Sequence, residues 1–305
     1  MTKPKIIISG GDGFIGQSII ELFSNEFDFI VLKRKGSTIH YPKIKENAEI
    51  YYGISDLKNA DLNYSEVAGL FMLGSSRPYL ISEKKKKDIQ ELETEEAKCI
   101  FEFCDCKGIN HVLYASSKSV YGKIDSTPFK EEHEPHPDTV YGLNKLLIET
   151  MGKYYFQKST FKFTTLRLAQ VFGYGEKYIN LPLTLMQNAV MNRPIELWKG
   201  VENDRISYVY IKDVAIAFIH FLKTSISGVF NISLCKSYSP DELAKIILIE
   251  TPTKSEIVRI SSLSATPRND EVSVEKAKEY ANWSCRWQMD EALHDYWLEL
   301  YNSKS

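Results

Sequence analysis

Apolar and polar positions along the first half of the chain follow a strand, turn, helix rhythm. Lys5 to Ser9 is a short apolar run, Gly10 to Gly16 is a glycine-rich turn, and Gln17 to Ser24 has the apolar spacing of a helix. Further runs at Phe29 to Leu32, Glu49 to Gly53, Leu70 to Leu73, His111 to Ala115 and Phe163 to Arg167 predict five more strands. Between them, Glu91 to Cys106 places Cys99, Ile100, Phe103 and Cys104 on one helical stripe, which serves a core or a subunit interface. Leu146, Leu147, Ile148 and Met151 continue a helix that Asp138 or Thr139 can cap. Strands alternating with helices predict an α/β fold of the Rossmann type, with a doubly wound parallel sheet.

After Gly175 the alternation weakens, which predicts a smaller α/β lobe. Ile179 to Pro182 begins a helix, Ile195 to Trp198 and Tyr208 to Ile211 read as strands, and Asp213 to Leu222 as a helix. Val229 to Ile232 is a strand that returns to the first lobe. The expected division is 1–169 for the sheet domain, with 205–233 returning to it, and 170–204 plus 234–305 for the second lobe. The stretch from 234 onward reads as helices and loops, with Trp283, Trp287 and Trp297 packing core and cap.

Charge adds few constraints. Lysine and arginine number 38 against 40 acids, a net charge of -2 that gives no electrostatic case for nucleic acid or a membrane surface. The block Lys84 to Lys87 is followed by Glu91, Glu93, Glu95 and Glu96, so it reads as the solvated end of a charged helix. Five cysteines without framework spacing predict reduced thiols and a cytoplasmic setting. No apolar run approaches the ~18 residues of a membrane span, and no leader pattern is seen.

The candidate chemistry sits at the ends of the predicted strands. The loop Gly10-Gly11-Asp12-Gly13-Phe14-Ile15-Gly16 fits G-x-G-x-x-G through Gly11, Gly13 and Gly16, and G-x-x-G-x-x-G through Gly10, Gly13 and Gly16. Such glycines let the backbone approach a pyrophosphate while the helix amides and dipole stabilise its charge. After the second strand, where an acid would hold the ribose hydroxyls of NAD, stand Lys33-Arg34-Lys35. Basic side chains there suit the 2′-phosphate of NADP, and equally they read as surface charges at a strand end. Asp56 and Leu57 lie where an adenine would be met, and Leu73 with Gly74-Ser75-Ser76 closes the fourth strand. Ser116 and Ser117 end the fifth strand and face the same crevice as the glycine loop. Tyr141 and Lys145, four residues apart, share one face of a helix. An ammonium beside a phenol favours the phenolate, which makes a base of a group that is otherwise protonated at neutral pH.

Taken together, GGDGFIG, YASSKSVYG and VYGLNKLLIE resemble, in the right order, the cofactor loop, serine segment and tyrosine helix of the extended short-chain dehydrogenase/reductases, and within them the nucleotide-sugar epimerases. The resemblance implies that Tyr141 is the general base or acid, that Lys145 holds the nicotinamide ribose, and that Ser117, four residues before Tyr121, bonds the reacting sugar oxygen. It also implies cofactor contacts at Gly10, Gly13, Phe14, Ile15 and Gly16, and substrate contacts at Gln170, Asn180, Leu181, Trp198, Arg205 and Arg268. Departures narrow the reaction. Ser117-Lys118-Ser119 replaces the Thr-Asp-Glu of the family's 4,6-dehydratases, Gln170 replaces an asparagine, Arg205 is displaced by one position, and the acid after strand two is missing. The expectation is a 4-epimerase of a UDP-hexose or UDP-N-acetylhexosamine using NAD or NADP, the epimerase reading favouring NAD and the basic residues after strand two NADP, and acting as a homodimer through the helices around Cys99 to Cys104 and Leu146 to Tyr155. An NADPH-dependent reductase of a 4-keto nucleotide sugar is the alternative, and a non-catalytic dinucleotide-binding protein the third reading.

Overall fold

The computed structural model describes residues 3–34, 44–75, 83–123, 127–159, 161–261 and 269–303. Lys35, Ser76 and Arg268, and the side chains of the Lys84 to Lys87 block, lie outside what is described. In chain order the first half holds β1 (Lys5–Ser9), α1 (Phe14–Phe23), β2 (Asp28–Lys33), α2 (Ile44–Asn47), β3 (Ala48–Tyr52), α3 (Ile54–Lys58) and β4 (Val67–Met72). Then come α4 (Glu83–Lys107), β5 (His111–Ser117), α5 (Val140–Lys158), β6 (Lys162–Leu168) and β7 (Gln170–Phe172). The second half holds α6 (Leu181–Val190), β8 (Ile195–Trp198), β9 (Arg205–Tyr210), α7 (Ile211–Thr224), β10 (Gly228–Ile232) and β11 (Ser237–Tyr238). It ends with α8 (Pro240–Glu250), β12 (Ile257–Ile260), β13 (Asn269–Asp270), α9 (Glu275–Ala281) and α10 (Met289–Asn302).

Among the described residues a seven-stranded sheet runs β10-β6-β5-β4-β1-β2-β3. The neighbours from β3 to β6 pair in parallel. This is the 3-2-1-4-5-6 order of a doubly wound fold, whose ligands bind beyond the carboxyl ends of the strands. Its strands read as near-continuous apolar runs because helices cover both faces. Ile7, Ile30, Leu70, Val112 and Phe163 of the sheet pack with Ile100, Phe101, Phe103 and Cys104 of α4 and Ile148 of α5 in one buried cluster. Burial of each such side chain contributes roughly 1.5–3 kcal/mol. The stripe predicted on α4 is thus core at Ile100, Phe103 and Cys104, while Cys99 is exposed.

The chain forms two compact units. The first comprises 1–125, 131–168 and 215–230, and the second 126–130, 169–214 and 231–305. The returning segment is shorter than the 205–233 read from the sequence, because β9 pairs with β7, β11 and β13 in a sheet of the second unit. The strand expected at Tyr208 to Ile211 ends at Tyr210, and Ile211 already begins α7. Strands also occur where only helices and loops were expected after residue 234. Two of them, β11 and β13, have two residues each, too few to leave an alternation in the sequence. In the second unit Asp213, fully buried, accepts the backbone N–H of Arg286 at 2.8 Å and of Trp287 at 3.4 Å. Trp283 is core, as expected.

His111 opens β5 and is buried. Thr164 spends its hydroxyl proton on the carbonyl of Ile226 at 2.6 Å, so the 2.7 Å contact with Nε2 of His111 is donated by the ring. Burial, and then the charge of Lys162, hold the imidazole down at about 4. A folded value below the unfolded one stabilises the fold above the unfolded pKa of ~6.5 and is lost as the pH falls from there toward 4. Urea titrations at pH 7 and pH 4 should therefore show an acid loss that His111→Leu reduces by about 3 kcal/mol. Equal losses in the two proteins would contradict this assignment.

Candidate functional site

The glycine loop follows β1 directly. Gly10 has φ +79°, and a Cβ on it would sit 2.5 Å from the Gly74 backbone nitrogen, so only glycine fits where the ends of β1 and β4 meet. Leu73 and Gly74 donate their N–H groups to the Ser9 carbonyl at 2.9 and 3.0 Å, locking that junction. Gly13 is the N-cap of α1 and supplies no side-chain cap, so Phe14, Ile15 and Gly16 form a first turn whose amides no side chain closes off. The helix begins three residues earlier than the apolar spacing suggested, because the glycine itself makes the turn. Beside this loop, the Ser75 hydroxyl is shielded from solvent and has no partner among the described residues.

Lys33 ends β2 and is buried, with its ammonium on the carboxylate of Asp12 in the glycine loop. Arg34 donates from Nε to Glu96 at 2.9 Å and its Nη2 lies 3.6 Å from Glu93. Both cations expected to meet a 2′-phosphate are therefore engaged with carboxylates. Asp56 is exposed on α3, whereas Leu57 is fully buried in the core cluster. Ile54 and Leu57, three residues apart and so on one face of α3, pack into that cluster together.

The other half of the site in this first unit is built by β5 and α5. Thr139 caps α5 by accepting the Gly142 N–H at 3.0 Å, which settles the choice between Asp138 and Thr139. Gly142 is the close-approach residue: a Cβ there would run into the Ser119 carbonyl oxygen. That approach brings the first turn of α5, with Tyr141, against the short turn after β5. Ser117 caps this turn, its hydroxyl oxygen accepting the Ser119 N–H at 3.2 Å, and it remains partly exposed. Ser116 does not share the crevice. Successive side chains of a strand point to opposite faces, and Ser116 is buried with its hydroxyl donated to Glu149.

Lys145 is buried, its ammonium donating to the Ala115 carbonyl at 2.6 Å. It lies 5.6 Å from the centre of the Tyr141 ring and 4.9 Å from that of Tyr114. A strand carbonyl thus fixes the cation on the face of α5 that carries the half-buried Tyr141. Behind it, Glu149 accepts from Arg167 Nε at 3.1 Å and Nη2 at 2.8 Å, and Asn144 donates to Glu93. Sequence reasoning passed over Asp12, Glu149 and Arg167. Spacing offered no signal for them, since their partners stand 21, 33 and 18 residues away.

The residues expected to contact substrate lie in the second unit, apart from Ser117. Gln170 starts β7 and is half-buried. Asn180 caps α6, its Oδ1 accepting the Leu183 N–H at 2.9 Å, and Leu181 is the first residue of that helix. Trp198 ends β8 with 54% of its surface exposed. Arg205 is held by Glu242 at 2.5 Å, and Glu242 is also part of the capping box of α8. Arg268, the residue expected at the diphosphate, lies outside the described residues. Among the described residues no cluster of acids, histidines and cysteines suits a metal ion, and no helix is long and apolar enough to cross a membrane.

Comparison with known proteins gives a consistent picture. The profile of the NAD dependent epimerase/dehydratase family matches residues 6–233. A dTDP-4-dehydro-6-deoxyglucose reductase of Escherichia coli is 26% identical over 274 residues, 84% of each chain. Among solved structures, a UDP-N-acetylglucosamine 4-epimerase from Bacillus cereus superposes with TM-score 0.83 at 25% identity, covering 98% of this chain and 99% of the other. A UDP-glucose 4-epimerase from Thermotoga maritima superposes with TM-score 0.84 at 22% identity, covering 99% and 100%.

Proposed function

Because the chain belongs to the NAD dependent epimerase/dehydratase family, we propose that it is a nucleotide-sugar 4-epimerase working on a UDP-hexose or UDP-N-acetylhexosamine through a 4-keto sugar. The observation that carries this reading is the buried ammonium of Lys145, fixed on a strand carbonyl beside Tyr141. The residues also fit a bound dinucleotide. The Gly10 cradle that a Cβ would fill, the uncapped first turn of α1 and the orphaned Ser75 hydroxyl supply close backbone approach and donors for a pyrophosphate. Bound there, the dinucleotide would accept and return a hydride.

The protein's own part is proton handling. Tyr141 takes the proton of the sugar hydroxyl, and the neighbouring charge of Lys145 favours the phenolate that does so. Ser117 donates to the same sugar oxygen and fixes its position. After the keto sugar turns over, Tyr141 gives the proton back to the same sugar oxygen, and the inversion would come from return of the hydride to the other face of the carbonyl carbon. The reading is supported by the 4-epimerase from Bacillus cereus, similar over nearly its whole length. Incubation with UDP-glucose and with UDP-N-acetylglucosamine should give their 4-epimers with no net change in dinucleotide.

The second reading is a reductase of a 4-keto nucleotide sugar, favoured by the likeness to the Escherichia coli reductase. Consumption of reduced dinucleotide with a 4-keto sugar, and no epimerisation, would select it. For the assembly we propose a homodimer. Leu143, Leu147 and Tyr154 form an exposed apolar stripe on α5, with Leu92 exposed on α4. Sedimentation should give twice the 35.0 kDa chain mass, and Leu147→Glu should give the single chain. A single-chain mass for the unaltered protein would dismiss the dimer.

A further inference from the structure

We infer that Tyr114 is a positioning residue of this site: the face of its ring, turned to the Lys145 ammonium, keeps that buried lysine charged beside Tyr141. The inference rests on the reading of Tyr141 as the proton-transfer group. A lysine taken out of water tends to lose its proton, and a neutral amine would do nothing to favour the Tyr141 phenolate. What faces the ammonium therefore decides whether the pair can work.

Tyr114 and Ala115 are neighbours on β5, and both reach Lys145. The Ala115 carbonyl accepts from the ammonium at 2.6 Å. The same nitrogen stands over the Tyr114 ring, 4.9 Å from its centre, with the Tyr141 ring 5.6 Å away. The cation is thus set against two aromatic rings, one that reacts and one held still by the core. An aromatic face carries the negative end of a quadrupole and attracts a cation within about 6 Å, most strongly where water is excluded. Tyr114 is fully buried, and Phe163 of β6 lies nearly parallel to it at 6.5 Å between centres. Gly152 of α5 makes room for that phenylalanine, since a Cβ there would run into its ring.

The hydroxyl of Tyr114 adds nothing to this hold. It is shielded from solvent and has no partner among the described residues, which is a costly place for a polar group. The other ionisable groups around Tyr114 are Tyr141 and Glu149 on α5 and Glu93 on α4. Glu149 is paired with Arg167 of β6, and Glu93 accepts from Asn144. Tyr141 and Lys145 titrate as a coupled pair, so loss of one proton gives either phenolate with ammonium or phenol with amine. Weakening the ammonium moves that balance to the second form, and the phenolate then appears only at higher pH.

Absorbance titration of the full chain tests this apart from turnover. The near-ultraviolet band of phenolate, taken as the difference between a protein and its Tyr141→Phe counterpart, reports Tyr141 alone. Tyr114→Leu should raise the midpoint of that signal by about one pH unit, a ~10-fold smaller phenolate fraction at neutral pH. Tyr114→Phe keeps the ring and should leave the midpoint within about 0.3 pH unit. Tyr114→pentafluorophenylalanine keeps the shape but reverses the charge of the face, so it should raise the midpoint as Tyr114→Leu does. It decides the matter should Tyr114→Leu fail to fold. An unmoved midpoint in either of those two variants, or a midpoint raised as far in Tyr114→Phe, would overturn the inference. Absence of any Tyr141 phenolate below about pH 10 in the unaltered protein would instead overturn the parent reading, and this inference with it.

Discussion

Tyr141→Phe is expected to lower turnover of the nucleotide sugar by ~10²–10⁴-fold, the usual contribution of a positioned acid or base. Only the phenolic oxygen is removed, and the ring keeps its place on the first turn of α5, capped by Thr139 and seated by Gly142 against the turn after β5. Melting temperature and NADH affinity should therefore stay near those of the unaltered protein. That combination distinguishes loss of a proton-transfer group from loss of a fold. Lys145→Met is a harsher change, because it leaves the Ala115 carbonyl without its donor and removes the charge that favours the phenolate. Activity unchanged in Tyr141→Phe would dismiss the catalytic reading and favour a dinucleotide-binding protein without turnover.

The largest expected effect on stability lies at Arg167. Its guanidinium is 5% exposed and faces Glu149 at 6%, in a two-pronged pair. Burial works against the arginine's charge, but the hydrogen bonds and charge of Glu149 outweigh it and raise its pKa. Arg167→Met leaves Glu149 with the Ser116 hydroxyl and no counter-ion in a dry site, at a cost of about 3–5 kcal/mol. Replacing both members, as Arg167→Met with Glu149→Leu, should recover most of that loss, since a buried pair is roughly balanced by apolar residues of similar volume. Urea unfolding of the single and double variants checks this, and a single variant within ~1 kcal/mol of the parent would show the pair to be dispensable. The pair also ties α5 to β5 and β6. The single variant should therefore lose activity beyond its unfolded fraction, through displacement of Tyr141 and Lys145 relative to Ser117.

How much could be read from the sequence depended on the distance over which each feature is encoded. The strand-loop-helix start, the alternation that predicts a parallel sheet, and the Tyr141-Lys145 face all follow from a few consecutive residues. Periodicity and a glycine's access to positive φ are local properties. The reading sent Ser116 and Ser117 to the crevice together because it took the strand end as a unit, whereas neighbours point to opposite faces: Ser116 is buried on Glu149 and Ser117 is partly exposed. That α3 buries the Leu57 side chain was not legible, because a five-residue helix is too short to show a periodic stripe.

The sequence by itself therefore determined the doubly wound sheet, the position of the glycine loop and the helix that carries tyrosine and lysine. The tertiary structure alone decided which charges neutralise one another. Asp12 finds Lys33 across 21 residues, Arg167 finds Glu149 across 18, and Arg34 finds Glu96 across 62. A charge in a list of residues has no neighbours beyond its own turn. Once the sheet order sets β1 beside β2, and burial removes competing water, the partners left within reach fix what each ion can still bind.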